Sequence, residues 1–188
     1  MTKPLVVCVD DDPDLLAGVV RSLKALPIEI ASTSEPQTAL DWVAERDVAV
    51  LVSDFEMPGM NGVALVAKAR VLRPETVRIL LTGVRAFATA IDGINQGEVF
   101  RYINKPFDRA QLRDAVTAAV ERHHELVATV SERERSKRRA QIAAALEAEF
   151  PGLTHVVRAF DGAYIVPPTS PDIAAALGVD GLAVRRQP

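Results

Sequence analysis

Short aliphatic runs alternate with longer amphipathic segments over the first two thirds of the chain. The runs are Leu5–Val9, Ile28–Ala31, Val48–Ser53, Val77–Leu81 and Val99–Ile103. They are rich in Val, Ile and Leu and show little polar alternation, as strands covered on both faces do. The amphipathic segments begin near Pro13, Glu35, Gly62, Arg85 and Asp108. Pro13 follows a cluster of Asp, and Ser34 precedes Glu35-Pro36; both are good helix starts. Strands that each lead into a helix predict an α/β fold, a parallel sheet wound on both sides, because parallel strands need crossover connections.

The last helical pattern overruns its expected end. From Asp108 to Glu149 the chain contains neither Gly nor Pro, enough for a helix on the order of 60 Å at about 1.5 Å per residue. Leu112, Val116, Ala119, His123, Leu126 and Val130 follow four-three spacing. One stripe therefore stays apolar past the domain edge, and the stretch is expected to mediate self-association. Ser131–Arg139 reads SERERSKRR, polar on all sides, which suits a solvated helix or a linker.

A smaller piece should follow. Thr154–Phe160 and Ala163–Val166 flank Asp161-Gly162, a strong hairpin signal. Ser170-Pro171-Asp172 opens a short helix that Gly178 ends. The expected organisation is a first domain over 1–125, a helical extension over 126–149 and a small module over 150–188.

Composition narrows the function. Hydrophobic residues make up 48% of the chain, too many for a disordered protein. With 22 Lys+Arg against 25 Asp+Glu, the formal net charge is -3, which gives no support to a wholesale nucleic-acid binder. Cys8 is the one cysteine and cannot form an internal disulfide, and no Cys/His cluster has zinc spacing. Met1-Thr2-Lys3-Pro4 lacks a signal-peptide run and no apolar stretch is long enough for a bilayer, so a cytoplasmic protein with no membrane contact is expected.

In a doubly wound parallel sheet, ligands bind beyond the carboxyl ends of the strands. Asp10, Asp11 and Asp12 fall there after the first run, Asp54 after the third, Thr82 after the fourth and Lys105-Pro106 after the fifth. Singly, each has a plain explanation as a helix cap, a turn or a strand end. Together they put several carboxylates on one rim, which repel unless a cation or a proton relieves them. A hard divalent ion with oxygen ligands fits, since no His or Cys lies on the rim. A carboxylate beside Mg²⁺ can attack phosphorus, while Lys105 and Thr82 neutralise and orient the equatorial oxygens. No GxxxxGK[ST] loop is present to hold a nucleotide triphosphate. The donor should then be a small phosphoryl carrier or another phosphoprotein.

The stretches VVCVDDDPDLL, VLVSDFEMPGMNGVAL, ILLTG and VFRYINKPF resemble the receiver domain of bacterial two-component response regulators, from about residue 4 to about 125. The resemblance implies a flavodoxin-like five-stranded sheet with strand order 2-1-3-4-5. It implies Asp54 as phospho-acceptor, Asp10 and Asp11 as the acidic pair at Mg²⁺, with Asp54 and the backbone carbonyl of Glu56 completing the metal site. Thr82 and Lys105 match the residues that contact the phosphoryl group, and Tyr102 occupies the aromatic switch position. Phosphorylation would draw Thr82 toward the new anion and let Tyr102 turn inward, a shift of populations. The side chains of Glu56 and Val84 flank the path of attacking water and are expected to tune dephosphorylation. Partners implied are a histidine kinase or phosphotransfer protein, a downstream protein and a second copy of the chain.

Two other classes remain open. The tail PDIAAALGVDGLAVRR echoes a helix-turn-helix, but it is too short for a full recognition helix and its surroundings carry little net charge, so nucleic acid is an unfavoured partner. A dehalogenase-like Mg²⁺-dependent phosphatase also uses an Asp nucleophile, yet it expects a second Asp two residues on, where Glu56 stands. Among the remaining residues, Cys8, Trp42 and Phe100 read as packing. His123-His124-Glu125 reads as an exposed pair, because adjacent residues on a helix diverge.

Overall fold

The computed structural model describes residues 3–83 and 99–149, together with the backbone of 157–158 and 164–165. The chain divides into two compact units, 1–130 and 131–188. In the first, five strands form one parallel sheet in the order β2-β1-β3-β4-β5. They are β1 (Leu5–Val9), β2 (Glu29–Thr33), β3 (Val48–Asp54), β4 (Val77–Gly83) and β5 (Arg101–Lys105). Helices α1 (Pro13–Leu23), α2 (Pro36–Glu45), α3 (Gly62–Leu72) and α4 (Arg109–Glu149) accompany them. The helix expected from Arg85 and the tail segments around Ser170 and Gly178 lie outside the described residues, as does Val84.

Alternate residues of each central strand supply two cores. Val6, Cys8, Val50, Val52, Ile79 and Leu81 join Val19 and Leu23 of α1 and Leu112, Val116 and Ala119 of α4. Val7, Val9, Leu51 and Leu80 join Leu40 and Val43 of α2 and Leu65 and Val66 of α3 on the other face. Both faces are dry, which is why these strands read as continuous aliphatic runs. Burial on that scale fixes register, since a one-residue slip would exchange the two cores. The outer strands differ from the expectation. Most positions of β2 and β5 are exposed or half-buried, because a strand at the sheet's edge has a neighbour on one side alone.

Three strands run further than their aliphatic residues. β3 extends through Asp54, β4 through Thr82 and Gly83, and β5 through Asn104 and Lys105. These polar residues carry ladder pairing, Asp54 with Leu81, Thr82 with Asn104 and Gly83 with Lys105. β5 starts two residues later than the hydrophobic pattern suggested, and Phe100 is 40% exposed instead of packed. The Arg101 guanidinium lies over its ring at 5.8 Å.

Cys8 is fully buried, as expected. Desolvation pushes its thiol up to about 12. Native protein should therefore fail to react with an aromatic disulfide reagent at pH 8, whereas the unfolded chain reacts fully; stoichiometric labelling of the native state would show that β1 opens. Because the folded-state value is raised, this thiol leaves stability untouched below about pH 8.5 and erodes it only as pH climbs from there toward 12.

α4 packs against the first core as far as Leu126, which is half-buried. Leu112, Ala115, Val116, Ala119 and His123 are its buried residues. His123 is thus not one of an exposed pair: it is 4% exposed, and its Nδ1 lies 2.9 Å from the Glu75 carbonyl. A carbonyl only accepts, so Nδ1 carries the hydrogen. The stripe expected to serve self-association is covered through Leu126 by the chain's own core, and Val130, its last member, is half-buried. In the second unit, β6 (Val157–Arg158) pairs antiparallel with β7 (Tyr164–Ile165). This pairing falls within the two strands expected there, whose other residues lie outside the described ones.

Candidate functional site

The loop after β1 separates three consecutive acids by role. Asp12 is the N-cap of α1, its Oδ1 accepting the Asp14 and Leu15 amides at 2.8 and 3.2 Å. Such a cap is worth about 1 kcal/mol. Asp10 is 1% exposed at the end of the strand, and Asp11 is exposed beside it. The capping explanation therefore holds for Asp12 and not for Asp11.

Asp10, Asp11 and Asp54 converge: one carboxylate oxygen from each lies within 4.8 Å of the others. Asp54 is 7% exposed. Lys105 Nζ sits 2.6 Å from Asp54 Oδ1 and 2.9 Å from Asp10 Oδ2. The remaining oxygens accept backbone amides, Asp12 N–H on Asp10 Oδ1 and Glu56 N–H on Asp54 Oδ2, both at 3.0 Å. Both buried carboxylates are thus held by a cation on one oxygen and a peptide dipole on the other, which relieves the cost of burying them. Burial alone would lower the lysine, but the hydrogen bonds and charges of Asp54 and Asp10 outweigh it and raise it above the ordinary lysine value. The ammonium stays charged throughout the neutral range. Its contribution to stability is complete below the ordinary lysine value and fades only in strong alkali.

Thr82 is buried, and its hydroxyl donates to the Gly83 carbonyl at 3.1 Å. Tyr102 is half-buried and packs against the core on the α2–α3 face. The side chain of Glu56 is exposed, and the Lys105–Pro106 bond is cis. The structure brings Asp10, Asp11, Asp54 and Lys105 together directly; Thr82 and Tyr102 lie on the neighbouring strands β4 and β5.

Two residues beside Asp54 escaped the sequence reading. A Cβ on Gly62, the first residue of α3, would collide with the Asp54 carbonyl oxygen and the Leu80 side chain. Ser53, fully buried, donates its hydroxyl to that same oxygen at 2.7 Å. A lone hydroxyl in VAVLVSD was the signal for the second. Gly62→Ala should lower stability by about 2–3 kcal/mol, since backbone must move to admit the methyl. Urea unfolding checks this, and a change below about 0.5 kcal/mol would show that the loop yields freely.

The donor set is oxygen only, clustered and anionic, and fits Mg²⁺ better than a soft metal. Asp10, Asp11 and Asp54 are the residues that could hold it. No helix among the described residues is long and apolar enough to cross a membrane.

The family described as the response regulator receiver domain matches residues 6–117. The chain is 31% identical over 119 residues to the C4-dicarboxylate transport transcriptional regulatory protein DctD of Rhizobium meliloti, covering 63% of this chain and 26% of that one. It is 30% identical over 132 residues to the transcriptional regulatory protein PrrA of Mycobacterium tuberculosis, covering 70% and 56%. The chain thus spans about a quarter of the first relative and just over half of the second. Among solved structures, the signal receiver domain of an HD domain-containing protein from Pseudomonas fluorescens Pf-5 superposes with a TM-score of 0.62 at 33% identity, covering 72% of this chain and 95% of that one. The sheet order, the acidic cluster with its lysine and these matches agree, and the chain belongs to the response regulator receiver family.

Proposed function

We propose that the chain accepts a phosphoryl group on Asp54 from a histidine kinase or a phosphotransfer protein. The observation that carries this is the Lys105 ammonium held between the buried Asp54 and Asp10 carboxylates, with Asp11 beside them. In the transfer, an Asp54 oxygen bonds to phosphorus and the bond from phosphorus to the donor breaks, its electron pair leaving with the donor. Lys105 is placed to neutralise one phosphoryl oxygen, and Thr82 can swing its hydroxyl from Gly83 toward another. Bound Mg²⁺, held by Asp10, Asp11, Asp54 and the Glu56 carbonyl, would supply charge neutralisation at the phosphoryl oxygens. Tyr102 would then follow Thr82, and Glu56 and Val84 would set the rate of hydrolysis. Turnover of phosphomonoesters is not part of this reading.

Acetyl phosphate with Mg²⁺ tests it: one adduct of about 80 Da, the mass of HPO₃, should appear. Multiple turnover of a phosphomonoester without an adduct would favour the phosphatase instead. We read the output as protein interaction in the cytoplasm, with two copies joined through α4 beyond its core contacts. A monomeric mass both with and without phosphorylation would overturn the pairing. The names of the DctD and PrrA relatives favour a second reading, a transcriptional regulator; binding to duplex DNA that weakens steeply with salt would support it.

A further inference from the structure

The peptide joining Asp54 to Phe55 is held from three sides. Its N–H donates to the Leu81 carbonyl at 2.8 Å. Its carbonyl oxygen accepts the Ser53 hydroxyl at 2.7 Å. The Gly62 α-carbon packs against that same oxygen so closely that no side chain fits between them. Gly62 also donates its own N–H to the next carbonyl, Phe55, at 2.9 Å.

Ser53 is fully buried in a strand whose other positions before Asp54 are Val, Ala and Leu. Burying a hydroxyl is unfavourable unless it is bonded, and alanine would fill a small slot without that cost. Size alone therefore does not account for serine. What the hydroxyl does is hold the carbonyl at the point where β3 ends and the loop bearing Glu56 begins. The Glu56 N–H in turn holds Asp54 Oδ2 at 3.0 Å. Turning this one peptide would tilt the Asp54 side chain and displace the donor that steadies it. In-line attack on phosphorus tolerates little such displacement.

We infer that Ser53 is a positioning residue for phosphoryl transfer, acting through the Asp54 carbonyl; the inference rests on the reading of Asp54 as acceptor. The test uses the full chain, Mg²⁺ and acetyl phosphate as the probe, with adduct formation followed by mass. Ser53→Ala should lower the maximal rate about tenfold while half-saturating acetyl phosphate and Mg²⁺ concentrations stay within about twofold of wild type. Ser53→Thr, which keeps the hydroxyl, should recover most of the rate. Ser53→Cys, similar in size to serine and a poor donor, should behave as Ser53→Ala does. An unchanged rate in Ser53→Ala overturns the inference, as does an equal loss in Ser53→Ala and Ser53→Thr, or a wild-type rate in Ser53→Cys, because each would leave the hydroxyl without a role. A wild-type chain that takes up no phosphoryl group defeats the acceptor reading and this inference together, an outcome distinct from the other three.

Discussion

Asp54→Asn should abolish phosphoryl uptake, a loss of at least about a thousandfold in rate, while leaving the fold in place. The amide has nearly the shape of the carboxylate and can still accept the Glu56 N–H at the position of Oδ2. It lacks the anionic oxygen needed to bond phosphorus. Lys105 keeps its pairing with Asp10, and one charge fewer crowds the cluster, so stability should shift by less than about 1 kcal/mol. Intact mass after incubation with acetyl phosphate and Mg²⁺, read beside a urea melt, separates the two quantities. An adduct that persists in Asp54→Asn would place the acceptor elsewhere and sink the reading.

Lys105→Met comes next in size and acts on both chemistry and stability. Removing the ammonium leaves Asp54 and Asp10 buried at 7% and 1% exposure with no cation between them. Breaking a buried pair costs about 3–5 kcal/mol; Lys105 is itself 21% exposed, so water can partly replace it, and about 2 kcal/mol is the expected loss. Mg²⁺ should restore much of that loss, making the unfolding midpoint of the variant far more sensitive to the metal than that of wild type. Metal should not restore the rate of phosphoryl uptake, which loses the cation placed for the transferring group, about a hundredfold. Urea melts with and without Mg²⁺, and adduct formation against time, read these out. A variant with wild-type rate, or one whose stability ignores Mg²⁺, would show that Lys105 is a surface lysine in this respect.

What the chain alone made legible was its organisation and the residue types on the rim. Aliphatic runs between helical segments specify the sheet because both faces of β1, β3 and β4 must be dry. Acids after the first and third runs, a hydroxyl after the fourth and a lysine after the fifth mark one edge of it. Parallel order puts Asp10 and Lys105 on that same edge, while their direct pairing, across 95 positions and two intervening strands, belongs to the assembled sheet.

Local pattern alone did not say which of three consecutive acids serves the cluster; the family resemblance singled out Asp10 and Asp11. Asp12 turns back to cap α1 while Asp10 and Asp11 face Asp54, a choice made by the helix's direction of departure. The four-three stripe already set His123 beside Leu112, Val116 and Ala119, against its reading as one of an exposed pair; what the pattern could not supply was the Glu75 carbonyl that its ring meets. The grip of Ser53 and Gly62 on one carbonyl oxygen joins residues whose types have ordinary local uses. Hydrophobic periodicity reports which side of an element is dry; which polar groups meet at its end depends on where other elements stop, and only the assembled sheet decides that.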